Sequence, residues 1–317
     1  MMRHTTWKGH AAMASAGILW GVMSPVCKWV ICDAQISAAT LAVLRIWGAA
    51  ALFWLAALVS PKERLRRGDG KKMMLAALCG VLLNQGAFTF GVGLTSPSDA
   101  ALVTTTLPVF TLLLSFLFLK ERISVGKMIG VLASTAGAAI LIVSNASGSS
   151  HGNVWGDLLC MGAQMSAACY FVFFRRQIAR YSPITMMKWM FLYAAVYSSP
   201  FAAYDLSQSP LAETSLRAWG GIAYVIAVAT FFCYILMPIA QRFLRPTVVS
   251  MYNYLQPIVA TSLAIAWGMD RLSWTKFFSV ALIFGGVFLV TTAPSRKGEP
   301  RVRKREQTPD PHRPQFP

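Results

Sequence analysis

Few side chains in this sequence are placed to do chemistry away from water, and most of them are of one kind. Arg45, Asn84, Gln85, Asn253 and Gln256 sit within or against long apolar runs, as do Trp20 and Tyr170. Amides both donate and accept hydrogen bonds, and a guanidinium offers a cationic fork. Indole and phenol rings supply flat apolar walls with one polar handle. Such a set suits the reversible grip of a small organic solute. Asn253 and Gln256, three apart, share one helix face. Thr104, Thr105 and Thr106 add hydroxyls, but threonine hydroxyls readily bond carbonyls of their own helix. Lys28, near the end of its run, can reach the interface on its long stem.

Bond-making chemistry has no matching constellation. There is no Walker-A loop, GxSxG elbow, HExxH or CxxC pair. The histidines (4, 10, 151, 312) form no ligand cluster, and the six cysteines lie mostly inside apolar runs, where they read as small packing residues. Neither an enzyme nor a metal or cofactor is expected. All twelve acids fall in connections, at run ends or in the tail. A buried carboxylate relay is therefore not expected, and facilitated diffusion or exchange fits better than proton coupling.

The elements that must position these groups are membrane helices. The 317 residues are 56% hydrophobic and only 13% charged, where a soluble domain carries about 25% charged residues. Ten apolar runs cover about 10–31, 36–59, 71–93, 98–119, 124–143, 154–174, 183–204, 217–238, 246–267 and 273–293. Each is near the length that crosses a hydrocarbon core of about 30 Å. Arg3 and Lys8 before the first run imitate a signal peptide, but no clean small-residue cleavage site follows. Residues 294–317 are basic and proline-rich and are expected to be a disordered tail.

The formal charge of +17 sits between the runs and in the tail. That pattern points to membrane topology and lipid contact, and away from nucleic acid. With residues 1–9 cytoplasmic, twenty-three Lys and Arg fall on the cytoplasmic side and four on or near the other. Both termini are therefore expected in the cytoplasm.

The chain also repeats itself. LPVFTLLLSFLFLKERIS at 107–124 returns as QPIVATSLAIAWGMDRLS at 256–273. Pro108 and Pro257, Glu121 and Asp270, Arg122 and Arg271, Ser124 and Ser273, and Gly137 and Gly286 are all 149 positions apart. Two halves of five runs each, 10–143 and 154–293, follow from this duplication. Because five is odd, the second half must cross in the opposite sense. The expected fold is all-α, ten transmembrane helices as two inverted five-helix repeats, with a solute site where the halves meet. Pro108 and Pro257, a repeat-related pair inside runs, are hinge candidates. Gly17-xxx-Gly21 and Gly126-xxx-Gly130 favour close helix packing.

At these residues the chain resembles the drug/metabolite transporter superfamily, and within it the EamA-type transporters. The features are Trp20-Gly21 followed by Lys28, then Arg45, then the Pro108–Ser124 block with Gly130 and Gly137. Gly156-Asp157 and the stretch from Arg245-Pro246 through Tyr252, Asn253, Tyr254, Gln256 and Pro257 to Asp270 complete the set. The likeness covers about 10–293. Asp270 stands where a Glu is more usual, and Pro25 where an aromatic or small residue is more usual. The resemblance implies a secondary transporter, an exporter of small organic metabolites such as amino acids, working by alternating access in the plasma membrane (the inner membrane of a bacterium). Its alternatives are a multidrug efflux transporter and a non-transporting sensor or scaffold acting through the basic tail.

Overall fold

The computed structural model describes residues 2–33, 35–66, 68–119, 124–146, 152–209, 211, 213–243, 252, 255–271 and 273–293. Among them every regular element is helical. The first half holds α1 (Met2–Asp33), α2 (Ala38–Val59), α3 (Asp69–Ala77), α4 (Asn84–Leu94), α5 (Pro97–Thr104), α6 (Leu107–Leu119) and α7 (Val125–Ala146). The second holds α8 (Val154–Phe173), α9 (Arg175–Arg180), α10 (Pro183–Gln208), α11 (Leu216–Ala223), α12 (Cys233–Phe243), α13 (Leu255–Ala266) and α14 (Trp274–Thr292).

Among the described residues, two rods are not purely α-helical. A π-helical segment, Leu78–Leu83, joins α3 to α4, and another, Tyr224–Phe232, joins α11 to α12. Shifted by 149, the first falls inside the second, so the distortion recurs at equivalent positions of the two halves.

The helix starts follow local chemistry. Ser37, Ser96, Ser182, Ser215 and Ser273 each accept a hydrogen bond from the backbone N–H three residues on, and Asn153 from the one two residues on. These side chains satisfy amides that the first turn leaves open. Pro97 and Pro183 follow two of the caps, where proline's missing N–H costs nothing.

Among the described residues, six helical rods are long and apolar enough to cross a membrane: Trp7–Cys32, Ala38–Val59, Asp69–Leu94, Pro97–Phe118, Val154–Phe173 and Leu216–Met237. Val125–Leu141, Leu255–Ala266 and Trp274–Gly286 are shorter apolar helices. The outward surface is itself apolar: Leu58 is 77% exposed, Leu132 65% and Phe277 60%. Exposed side chains of that size suit hydrocarbon as solvent.

Inside, the described residues form two large buried clusters. One gathers Met23, Val26, Leu41, Phe88, Val92 and Ile222. The other gathers Phe53, Met73, Tyr170, Met186, Met190 and Phe191.

Several contacts join residues 149 apart or nearly so. Ser134 Oγ donates to Ile283 O at 3.3 Å. A Cβ on Gly137 would press on Ser279 O and Ile283, and one on Gly286 would press on Gly130 O and Ser134. Since 279, 283 and 286 are 130, 134 and 137 each plus 149, the α7–α14 seam is reciprocal. Gly126 meets Ala293 at its far end, so the two helices run antiparallel. Helices α2 and α10 are also antiparallel: Trp47 Nε1 donates to Ser198 at 3.1 Å, Phe53 stacks on Phe191 at 5.2 Å, and Trp54 meets Trp189 at 5.6 Å.

Candidate functional site

A cavity of about 160 Å³ lies between the two halves. Trp20, Arg45, Asn84, Gln85, Tyr170 and Gln256 all line it. Asn253, which sequence reasoning placed with them, lies outside the described residues.

Arg45 comes from the buried face of α2 and is only 4% exposed. Its Nε donates to Thr230 Oγ1 at 2.7 Å, and that hydroxyl donates to Val225 O at 2.8 Å. The five-residue reach is that of the π segment. No carboxylate pairs with Arg45 among the described ion pairs, and its Nη1 has no hydrogen-bond partner. The guanidinium is thus held at Nε and left unsatisfied at Nη1.

Gln85, 1% exposed, has the same half-satisfied character. Its Nε2 donates to Tyr234 OH at 3.4 Å, while Oε1 has no partner. Tyr234 stands 149 residues after Gln85, so this bond too joins equivalent positions of the two halves. Asn84 donates through Nδ2 to Ala163 O at 2.8 Å, which ties α4 to α8 while it lines the cavity.

The walls are aromatic. Trp20 Nε1 donates to Ala229 O at 2.8 Å, a carbonyl in the second π segment, and its ring meets Tyr234 edge-on at 6.4 Å. Tyr170 lies against Gly80, where an added Cβ would come within 2.8 Å of the ring. Only glycine in the first π segment lets that ring approach the helix so closely.

Sequence reasoning missed Gln164, which is 6% exposed on α8 and faces the cavity, and the apolar lining from Met23, Phe88 and Met237. Gln164 had the same signal as Gln85, an amide inside an apolar run. Tyr234 was visible through the 149-residue register.

The hinge candidates sit differently. Immediately before Pro108 the rod breaks between α5 and α6. Thr104, Thr105 and Thr106 each donate their hydroxyl to the carbonyl three residues back, at 2.7, 2.6 and 2.7 Å. They satisfy their own backbone at the break, although Thr104 also lines the cavity. Pro257 is the buried third residue of α13. Lys28 donates to Gly93 O at 2.8 Å and is not among the cavity residues.

The acids at the run ends are not all in water. Asp99 and Asp157, in the first turns of α5 and α8, are both 0% exposed. Position at a run end fixes depth along the helix axis but not the helix face, and these faces turn inward.

Two copies of the EamA-like transporter family match the chain, at residues 7–143 and 154–292. An uncharacterized transporter of Archaeoglobus fulgidus is 26% identical over 216 residues, covering 68% of this chain and 74% of its own. The uncharacterized inner membrane transporter YedA of Escherichia coli is 28% identical over 227 residues, covering 70% and 72%. A protein of known crystal structure superposes with a TM-score of 0.62 at 18% identity, covering 94% of this chain and 100% of that one, a likeness of fold.

Proposed function

The chain belongs to the EamA-like transporter family and is a multi-pass membrane transporter, and on that premise we propose that it exports small organic solutes by alternating access through the cavity between its halves. Ten helices cross the inner membrane in this reading, as two inverted five-helix repeats with both termini cytoplasmic. Two antiparallel pairs of equivalent helices, α2 with α10 and α7 with α14, support the inversion. An in-plane two-fold axis sets equivalent helices antiparallel where they meet, whereas an axis along the membrane normal would set them parallel.

One observation carries the choice of site. Arg45 Nη1 and Gln85 Oε1 are buried polar atoms without partners, and both residues line the same cavity. Burying a polar group unsatisfied is costly, more so for a charged one. A solute with an anionic group for Arg45 and an N–H or ammonium for Gln85 would satisfy both. Trp20 and Tyr170 would then flank its apolar body. An amino acid has this form. A purely cationic drug does not, because among the described cavity residues there is a fixed cation and no acid. In the cycle, the halves rock about the solute, with the breaks near Pro108 and Pro257 absorbing the bend.

Purified protein in liposomes tests this with a panel of amino acids, bases and drugs. Anionic or zwitterionic solutes should move, and Arg45→Gln should slow them about tenfold or more, the worth of one charge-assisted hydrogen bond. Asn84→Ala should impair flux less. Undiminished flux in both variants would remove the proposed site.

A further inference from the structure

Away from the central cavity, one cluster holds charge out of water. Lys276 Nζ lies 2.7 and 2.8 Å from the two oxygens of Asp270 and 3.1 Å from Asp99 Oδ1. The three side chains are 5%, 2% and 0% exposed. Ser96 Oγ donates to Asp270 Oδ2 at 3.2 Å and accepts the Asp99 N–H at 3.1 Å. Asp270 also accepts the Arg271 N–H at 2.7 Å. Asp99 belongs to the first half; Asp270 and Lys276 belong to the second.

Two carboxylates share one ammonium, so the fully ionised cluster carries one negative charge in excess. Among the described ion pairs, Lys276 is the cation these carboxylates meet. The helices packed on α5 are α1, α4, α8 and α13. Neither α4 nor α13 has a titratable side chain. Helix α8 brings Asp157, which takes the Thr95 hydroxyl at 2.7 Å, and Cys160, which is fully buried. Among its described side chains at this end, helix α1 brings Cys27, Cys32 and Lys28, whose ammonium donates to the Gly93 carbonyl. Arg271 beside the cluster is exposed to solvent. The excess charge is relieved either by water entering or by one proton.

Position links this cluster to the site. Helix α5 runs from Asp99 to Thr104 at the central cavity, and α13 runs from Gln256 at that cavity toward the Asp270 turn. A second cavity, about 270 Å³, adjoins the cluster and is lined by Ser98, Thr261, Asp270, Arg271 and Lys276. It offers water a path to the buried carboxylates.

We propose that Asp99, Asp270 and Lys276 form a proton-binding latch that holds this end of the transporter shut. With one proton between the two carboxylates the cluster is neutral and stays buried, tying the halves together. When that proton leaves to water through the 270 Å³ cavity, the excess charge draws water in and the end opens. Only a carboxyl O–H bond is made or broken. The latch rests on the alternating-access reading above and adds the ion that biases it. The shut form holds one proton more than the open form, so falling pH favours the shut form. The bias changes by about tenfold per pH unit between the proton affinities of the two forms and is flat outside that window.

The full-length protein in lipid nanodiscs tests this without any solute. Backbone hydrogen exchange at 96–104 and 270–276, corrected for the intrinsic effect of pH, should slow as pH falls, by up to about tenfold per unit. Thiol labelling of Thr261→Cys should slow in parallel. Asp99→Asn, which resembles the protonated carboxyl, should stay protected at every pH. Wild-type exchange with no pH dependence overturns the latch, as does a wild-type slope retained in both Asp99→Asn and Asp270→Asn. If Asp99→Asn does not fold, the wild-type exchange decides alone. Flux in liposomes separates this from the proposed solute site: solute movement with pH-independent protection removes the latch and leaves that site, whereas pH-dependent protection with none of the panel moved keeps the latch and overturns the solute class.

Discussion

The two ends of the molecule are tied by charge in different ways. At one end Asp99 and Asp270 close on Lys276, all 5% exposed or less. At the other, Asp69 accepts from Arg180 at 2.8 Å and Tyr181 OH at 2.7 Å, with Lys72 3.6 Å away. There Arg180 is 42% exposed and Lys72 58%. Glu63 accepts the Ser182 N–H nearby, at 2.9 Å. Both ties join the first half to the second. The first works where solvent cannot screen it, so breaking it strands charge in a low dielectric. In the second the cations stand at the edge of water although Asp69 itself is only 7% exposed, and an ion pair with one partner in water is worth less and rearranges more freely. Burial opposes ionisation of Asp270, yet the Lys276 hydrogen bonds outweigh it and hold the carboxyl below its usual range. Arg180 is raised by its hydrogen bond to Asp69 and by that carboxylate's charge, which outweigh a smaller opposing effect of desolvation. One end is built to be all-or-none and the other to yield gradually.

The sharpest test of this contrast is which compartment each end faces. Single thiol tags at Arg122 and Arg271 should label from opposite sides of the membrane, an all-or-none result. Labelling from the same side would break the inverted arrangement and with it the idea of two opposed gates. Next in size is Lys276→Met, which leaves two buried carboxylates facing each other. A loss of about 3–5 kcal/mol is expected, read as faster thiol labelling of Thr261→Cys and a lower melting temperature. An unchanged melt would erase the distinction between the ends. Smallest is Asp69→Asn, expected to lower protection at that end only slightly at low salt. The loss should shrink further in high salt, measured as exchange protection at 63–69. A salt-insensitive loss as large as that of Lys276→Met would show that the ends are alike.

Much of the architecture was legible because lipid leaves a chain few options. Long apolar runs become helices, and the few polar residues inside them need a reason to be there. Hence Trp20, Arg45, Asn84, Gln85, Tyr170 and Gln256 could be chosen from far-apart positions and found around one cavity. What could not be read was where backbone geometry depends on packing. The π segments at Leu78–Leu83 and Tyr224–Phe232 carry no composition signal. Yet they set the Ala229 carbonyl for Trp20 and let Gly80 receive Tyr170. The burial of Asp99 was hidden for another reason. A first-turn acid after a Ser-Pro cap reads as a solvated helix start, and the packing of α8 and α13 from the other half, with Lys276 of α14, removes the water.

The bond between Gln85 and Tyr234 has an evolutionary consequence. Both occupy the same place in their respective copies, so a complex of two identical chains would set glutamine against glutamine there, or tyrosine against tyrosine. Gene fusion lifts that restriction. Once the copies share one polypeptide, each can mutate alone, and the ground between them can become lopsided, an amide on one flank and a phenol on the other. A lopsided chamber can tell the head of a guest from its tail, which a chamber of two identical walls cannot.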